Sequence, residues 1–253
     1  MLGHEPPAHA GDPVDLSDIY RVSVDLALSV PLDELLLYQQ LAEAALLKAN
    51  ADVSRPQYML LVDRSPWVQA ALLLWRSEFG EYRLIGASPV STGRPGAFDH
   101  FETPLGVFDH SPANMDFRAK GTYNKHGIRG YGPKGLRVYD FGWQKSTKGW
   151  GDGAIGEMRL QMHATEPNSL ERRLGSAQSK GCIRIPATLN SLLDRYGVLD
   201  AEYARLEADG KSLWVLRSDR RTVAHPGRYL VVVESLRNER AAWSPVPSAV
   251  RSR

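Results

Sequence analysis

Ser179-Lys180-Gly181-Cys182-Ile183-Arg184-Ile185-Pro186 holds the one cysteine of a 253-residue chain. In extended backbone, Cys182 and Arg184 share one face while Ile183 and Ile185 take the other. Gly181 leaves room for a ligand's backbone beside the thiol. Backbone N–H groups around Cys182 are candidates to receive an oxyanion. Pro186, with the apolar periodicity after it, puts a helix start close behind the thiol, and Lys180 and Arg184 flank it. Cations and a helix start favour the thiolate, so the sequence predicts a thiol pKa below the ordinary ~8.5. The plain alternative is a small buried hydrophobe, the usual role of a lone cysteine.

Upstream, Glu157 to His163 reads Glu-Met-Arg-Leu-Gln-Met-His. Met158, Leu160 and Met162 alternate with Arg159, Gln161 and His163, as in a half-buried strand. The first set faces a core. His163 then stands on the polar face near the strand's end, either as a reachable imidazole or as a hydrogen-bonded structural histidine.

The rest of the chain reads as strands joined by long loops. Residues 1 to about 17 read as a disordered arm, and Leu32 to Ala49 as a packing helix. Strands are expected at Gln57 to Val62, Val68 to Trp75 (where Ala70 to Leu74 is also compatible with helix) and Tyr82 to Ala87, followed by loops over Ser91–Gly106 and Lys120–Gly156. Thr188 to Tyr196 and Ala201 to Ala208 read as short helices, and Leu213 to Arg217 and Tyr229 to Glu234 as closing strands. The expected organisation is an N-terminal arm and helix over 1–55, a mostly β catalytic domain over 56–236, and a loose tail over 237–253.

Hydrophobic residues make up 43% and charged residues 24%, which suits a globular chain with a sizeable core. A formal net charge of +2 is too mild to argue for nucleic acid. One cysteine allows neither an internal disulfide nor a cysteine-built zinc cage. No stretch is long and apolar enough to cross a bilayer, and the first residues show no export signal.

Several ordered segments together resemble the L,D-transpeptidase (YkuD-type) catalytic domain. Ser179-Lys180-Gly181-Cys182-Ile183-Arg184 is similar to its cysteine motif, and His163 stands 16 positions before Ser179, within the family's spacing. Gln57 to Asp63 resembles its first strand. Pro89-Val90-Ser91-Thr92-Gly93 and Thr103-Pro104-Leu105-Gly106-Val107-Phe108 resemble two further segments. The likeness spans residues 56 to 190. One departure is Lys180, where the family usually has histidine.

The resemblance implies a mostly β fold with a small helical part, a β-sandwich or barrel preceded by a helical N-terminal segment. It implies that Cys182 attacks a peptidoglycan stem-peptide carbonyl and that His163 moves the proton. Ala164 would orient the imidazole through its carbonyl, Gly181 and Cys182 would offer backbone donors to the oxyanion, and Ser179 would belong to the same oxyanion and orientation set. Arg184 and Lys180 would meet substrate. The partners are a tetrapeptide donor and an amine acceptor, the compartment the periplasm or cell wall, and carbapenems the expected inhibitors. No metal or other cofactor is expected. Two alternatives remain: a peptidoglycan hydrolase (L,D-carboxypeptidase or amidase) using the same pair, and a wall-binding module whose site has decayed, suggested by Lys180.

Other signals are weaker. Gly151-Asp152-Gly153-Ala154-Ile155-Gly156 matches a dinucleotide-binding pattern, but a strand rather than a helix follows, so it reads as a loop. His100, His110 and His126 read as surface histidines. Tyr123, Tyr131, Trp143 and Trp150 line a groove or pack. Arg172 and Arg173 read as a lid or a solvated basic pair.

Overall fold

A computed structural model describes residues 13–247. Two helices come first, α1 (Pro13–Ser23) and α2 (Leu32–Lys48). Strands β1 (Gln57–Asp63), β2 (Ala70–Arg76), β3 (Tyr82–Pro89), β4 (Gly106–Asp109), β5 (Phe117–Arg118), β6 (Arg137–Thr147), β7 (Ile155–Ala164) and β8 (Ile183–Ile185) follow. Helices α3 (Ala187–Arg195) and α4 (Ala201–Ala208) precede the strand β9 (Tyr229–Val233). The fold is mostly β with a small helical part, as expected.

The strands form two open sheets, ordered β3-β2-β1-β9-β4 and β5-β6-β7-β8. Their facing sides share one core, so of sandwich and barrel the first describes the molecule. Alternation explains the layering. Tyr58, Leu60 and Val62 of β1 and Leu230 and Val232 of β9 pack inward against Tyr139, Leu160, Met162, Ile183 and Ile185. Met59 and Leu61, with Tyr229, Val231 and Val233, point outward onto Tyr38, Ala42 and Leu46 of α2. With both faces of the five-stranded sheet covered, β1 and β9 need unbroken apolar runs, and all their residues are buried.

The structure differs from the sequence reading at four stretches of backbone and at one histidine. Helix α1 begins inside the stretch expected to be an arm: Leu16 and Tyr20 are buried, and the Tyr20 hydroxyl meets Ser88 Oγ at 2.5 Å. Gly86 makes room for that ring, since a Cβ there would lie 2.3 Å from it. Residues 1–12 of the expected arm lie outside the described residues. Beyond Arg237 the chain is docked rather than loose. Trp243 sits edge-on to Tyr38 at 5.8 Å, and Arg237 pairs with Glu34; residues 248–253 lie outside the described part. The expected loop 120–156 contains the eleven-residue strand β6. Its alternation is interrupted where the register shifts between Asp140 and Trp143, at Gly142 with φ +75°. Residues 213–217 form turns, not a strand.

His110 is also not a surface group. It is fully buried, stacks on Tyr203 at 4.9 Å and bonds Asp116 at 2.8 Å. Arg137, equally buried, joins the same Asp116 and reaches Asp200 at 2.8 Å, which ties β6 to the start of α4.

Candidate active site

β7 carries two faces. Met158, Leu160 and Met162 enter the core between the sheets, and Arg159, Gln161 and His163 take the opposite face. On one side β7 runs antiparallel to β6, pairing Asp140 with Gln161. On the other it runs parallel to β8, pairing Met162 with Ile183 and His163 with Arg184. Extending that register by one residue brings Cys182 beside Gln161. The Gln161 backbone also acts to lower the pKa of the thiol, as that adjacency requires. Ile183 and Ile185 are fully buried in the core. Cys182, Arg184 and His163 therefore share the outward face, and the thiol and the imidazole are diagonal neighbours across adjacent strands.

The backbone before Cys182 is a tight turn, not a strand. Gly181 has φ +124°, and a Cβ there would lie 2.6 Å from Met158 Sδ. The Ser179 hydroxyl donates to the Cys182 carbonyl at 2.5 Å and accepts the Gly181 N–H at 3.0 Å. The other segments of the family-like pattern brace this turn. The Ser179 N–H donates to the Thr92 carbonyl at 2.9 Å, and Ser91 bridges to Arg184. The Thr103 hydroxyl accepts the Gly93 N–H at 2.9 Å and donates to the Gly181 carbonyl at 2.8 Å. Residues 89–93, 103 and 179–184, far apart in sequence, thus meet at one point.

The electrostatics depart from the sequence reading. Burial pushes the Cys182 thiol up, and the nearby Arg184 charge and backbone hydrogen bonding only partly oppose it. Burial also pushes His163 down to about 4, against its bond to Ala164 and with help from the Arg184 charge. Both groups rest neutral at pH 7. Two of the expected thiolate-favouring features, Lys180 and the helix start, and one expected oxyanion donor are engaged elsewhere. Lys180 pairs with Asp99, both well exposed. Lys180 is next but one to Cys182 in sequence, but Gly181, at φ +124°, turns the chain between them. At the start of α3, the Ala187 N–H donates to Glu171 Oε1 at 2.7 Å. The Gly181 N–H serves Ser179, which leaves the N–H of Cys182 itself as the donor beside the sulfur.

The His163 ring is held. Its Nδ1 lies 2.8 Å from the Ala164 carbonyl oxygen, which can only accept, so Nδ1 carries the hydrogen and Nε2 is the basic nitrogen. The imidazole is only 3% exposed, less reachable than its place on a polar face suggests. Tyr131 covers it edge-on at 4.9 Å, and the tyrosine hydroxyl donates to Gln161 Oε1 at 3.0 Å. The covering segment is fastened by Arg129, which grips Glu166 through Nε and Nη2.

The sequence marks Tyr131 as an aromatic that lines a groove or packs, and it does not single out Asp140. Asp140 accepts from Arg159 at 2.7 Å and from Gln161 at 2.9 Å. The signal for Gln161 was present in the β7 alternation. For Asp140 it was hidden with β6. His100 and His126 do not join this site, and among the described residues no group of three or more His, Cys, Asp or Glu side chains is placed to hold a metal ion. Among the same residues no helix is long and apolar enough to cross a membrane.

No protein-family model matches this chain, and no curated protein matches it. Among solved structures it is similar to the helical cell shape determining protein Pgp2 from Campylobacter jejuni, at 14% identity and TM-score 0.32, over 83% of this chain and 59% of that one. A point mutant of the same protein aligns at 12% identity and TM-score 0.33, over 93% of this chain and 57% of that one. The chain spans less than two thirds of the length of either, and a likeness this distant carries no argument about the site.

Proposed function

We propose that the chain is a cysteine acyltransferase of the L,D-transpeptidase type, acting on peptidoglycan stem peptides in the periplasm or cell wall. The observation that carries this reading is the shared face of Cys182 and His163, with Nδ1 tied to Ala164 and Nε2 left as base. The convergence of residues 89–93, 103 and 179–184 on the thiol's turn supports it.

Because both groups rest neutral, the reading is general-base catalysis rather than a preformed ion pair. His163 Nε2 takes the thiol proton as the sulfur bonds to the carbonyl carbon after the third stem residue. The Cys182 N–H receives the oxyanion. Collapse breaks the amide bond, and the departing D-residue's amine takes the proton from Nε2, leaving a thioester. An acceptor amine then attacks, His163 removes its proton, and the thiol is restored. The alternative in which water replaces the amine draws on Tyr131, whose cover over His163 admits water more readily than a second stem.

The test is mass spectrometry of products from a disaccharide-tetrapeptide, with and without an amine acceptor. We expect loss of the terminal residue, a thioester adduct on Cys182, a new amide when the acceptor is present, and none of these in Cys182→Ala. A carbapenem should leave a covalent adduct on the same residue. Turnover persisting in Cys182→Ala would overturn the proposal, as would substrate bound but never cleaved, the behaviour of a wall-binding module.

A further inference from the structure

The outward face of the four-stranded sheet continues past the thiol into a part that the mechanism above does not use. Arg159, Gln161 and His163 point the same way along β7, with Trp143 opposite Arg159 and Asp140 opposite Gln161. Arg159 Nε donates to Asp140 Oδ2 at 2.7 Å, and the same oxygen accepts Gln161 Nε2 at 2.9 Å. The other Asp140 oxygen accepts the Gly142 N–H at 2.9 Å. Asp140 is only 2% exposed, so a buried carboxylate fixes the plane of the guanidinium. The outer edge of that guanidinium is open. The Arg159 side chain is 40% exposed, and among the described residues Asp140 is its only ion-pair partner. Trp143 beside it is 65% exposed. One step further, Lys145 and Glu157 face each other and offset in charge.

The mechanism gives this face a direction. His163 hands its proton to the departing amine, so the leaving residue lies on the His163 side, where Arg184 is the cross-strand neighbour. The acyl portion must then run the other way, over Gln161 toward Arg159. At ~3.3 Å per residue, Arg159 lies ~7 Å beyond Gln161, within reach of a side chain or of two extended peptide residues. We infer that Arg159 is the subsite for a free carboxylate on the acyl-donor peptide, within two residues of the scissile carbonyl, and that the Trp143 indole covers the aliphatic part of that segment. The inference rests on the acyl-transfer reading and adds a specificity to it. A guanidinium locked at Nε offers two parallel N–H donors, which match a carboxylate and not a carboxamide.

Two donor peptides differing only in that group, free carboxylate or carboxamide, test it through kcat/KM and through thioester formation on Cys182. We expect the wild-type protein to prefer the carboxylate by about tenfold or more, the effect of a charge-assisted bidentate contact. Arg159→Gln should bring the ratio to about 1, through KM for the carboxylate donor. Arg159→Lys, which keeps a cation beside Asp140, should retain part of the preference, which separates a binding effect from a folding defect. Equal acylation by both donors in the wild-type protein would overturn the subsite and leave acyl transfer standing, as would an unchanged ratio in Arg159→Gln. If neither donor acylates a thiol that iodoacetamide still alkylates, the acyl-transfer reading fails and the subsite with it.

Discussion

At the scale of single residues, the site is governed by burial more than by charge. The Cys182 thiol is pushed up, so its iodoacetamide rate should climb with a midpoint above the ~8.5 of a free cysteine. Lys180→Met should leave that curve unchanged, because the ammonium faces Asp99 and not the sulfur. A midpoint near neutrality, or one that rises in the variant, would contradict this. His163 leaves a second pH signature. Its folded pKa of about 4 lies below the ordinary value of 6.5. As pH falls below 6.5 the unfolded chain takes up this proton first, so stability drops until pH 4 and then levels off. The full difference is on the order of 3 kcal/mol. His110 is shifted the other way, held up chiefly by Asp116 against the pull of burial. That contribution is complete below the unfolded pKa and fades as pH rises, and it is common to wild type and variant. Urea unfolding of wild type and His163→Asn at pH 7 and 4.5 should therefore show a larger acid loss in the wild type, the other titrating groups cancelling in the difference. Parallel losses would refute the buried neutral imidazole.

At the scale of elements, the critical piece is the turn before β8, and Thr103 is its outside brace. Thr103→Val keeps the shape but removes the hydroxyl that joins Gly93 to Gly181. We expect a loss of about 1–3 kcal/mol, the cost of buried backbone groups without partners, with acylation falling further than stability because the thiol rides on that turn. Denaturant melts together with adduct kinetics measure both. This turn also shows where reading the sequence succeeds and fails. Alternation located β7 and the face of His163, because a half-buried strand must write period two into its residues. The same rule stops at Gly181, which leaves the extended region, so the face shared by Cys182 and Arg184 does not reach back to Lys180. β6 escaped notice because its register shift breaks the alternation. Tyr131 was visible as an aromatic, but its position over His163 depends on a loop fastened by Arg129 and Glu166, a contact across 37 residues that no local pattern encodes.

At the scale of the whole molecule, the layering was legible in outline. Unbroken apolar runs at β1 and β9 require cover on both sides, and helix α2 and the second sheet provide it. The ends were less legible, because the docking of α1 and of Trp243 depends on surfaces built by distant parts of the chain. The sheet order carries a further consequence, in time rather than in space. β9 lies between β1 and β4, and its Tyr229 pairs with Met59. The strand that joins β4 to the rest of the sheet is thus made after its four companions, and pairing across so long an interval is slow. During synthesis β1 and β4 each wait with an open edge, so the domain closes after its residues have been assembled, not as they emerge. A nascent chain halted with residues 1–228 outside the ribosome should remain sensitive to protease, and one extended past Val233 should become resistant. Protection already present at residue 228 would show that the sheet can form without the strand that links β1 to β4.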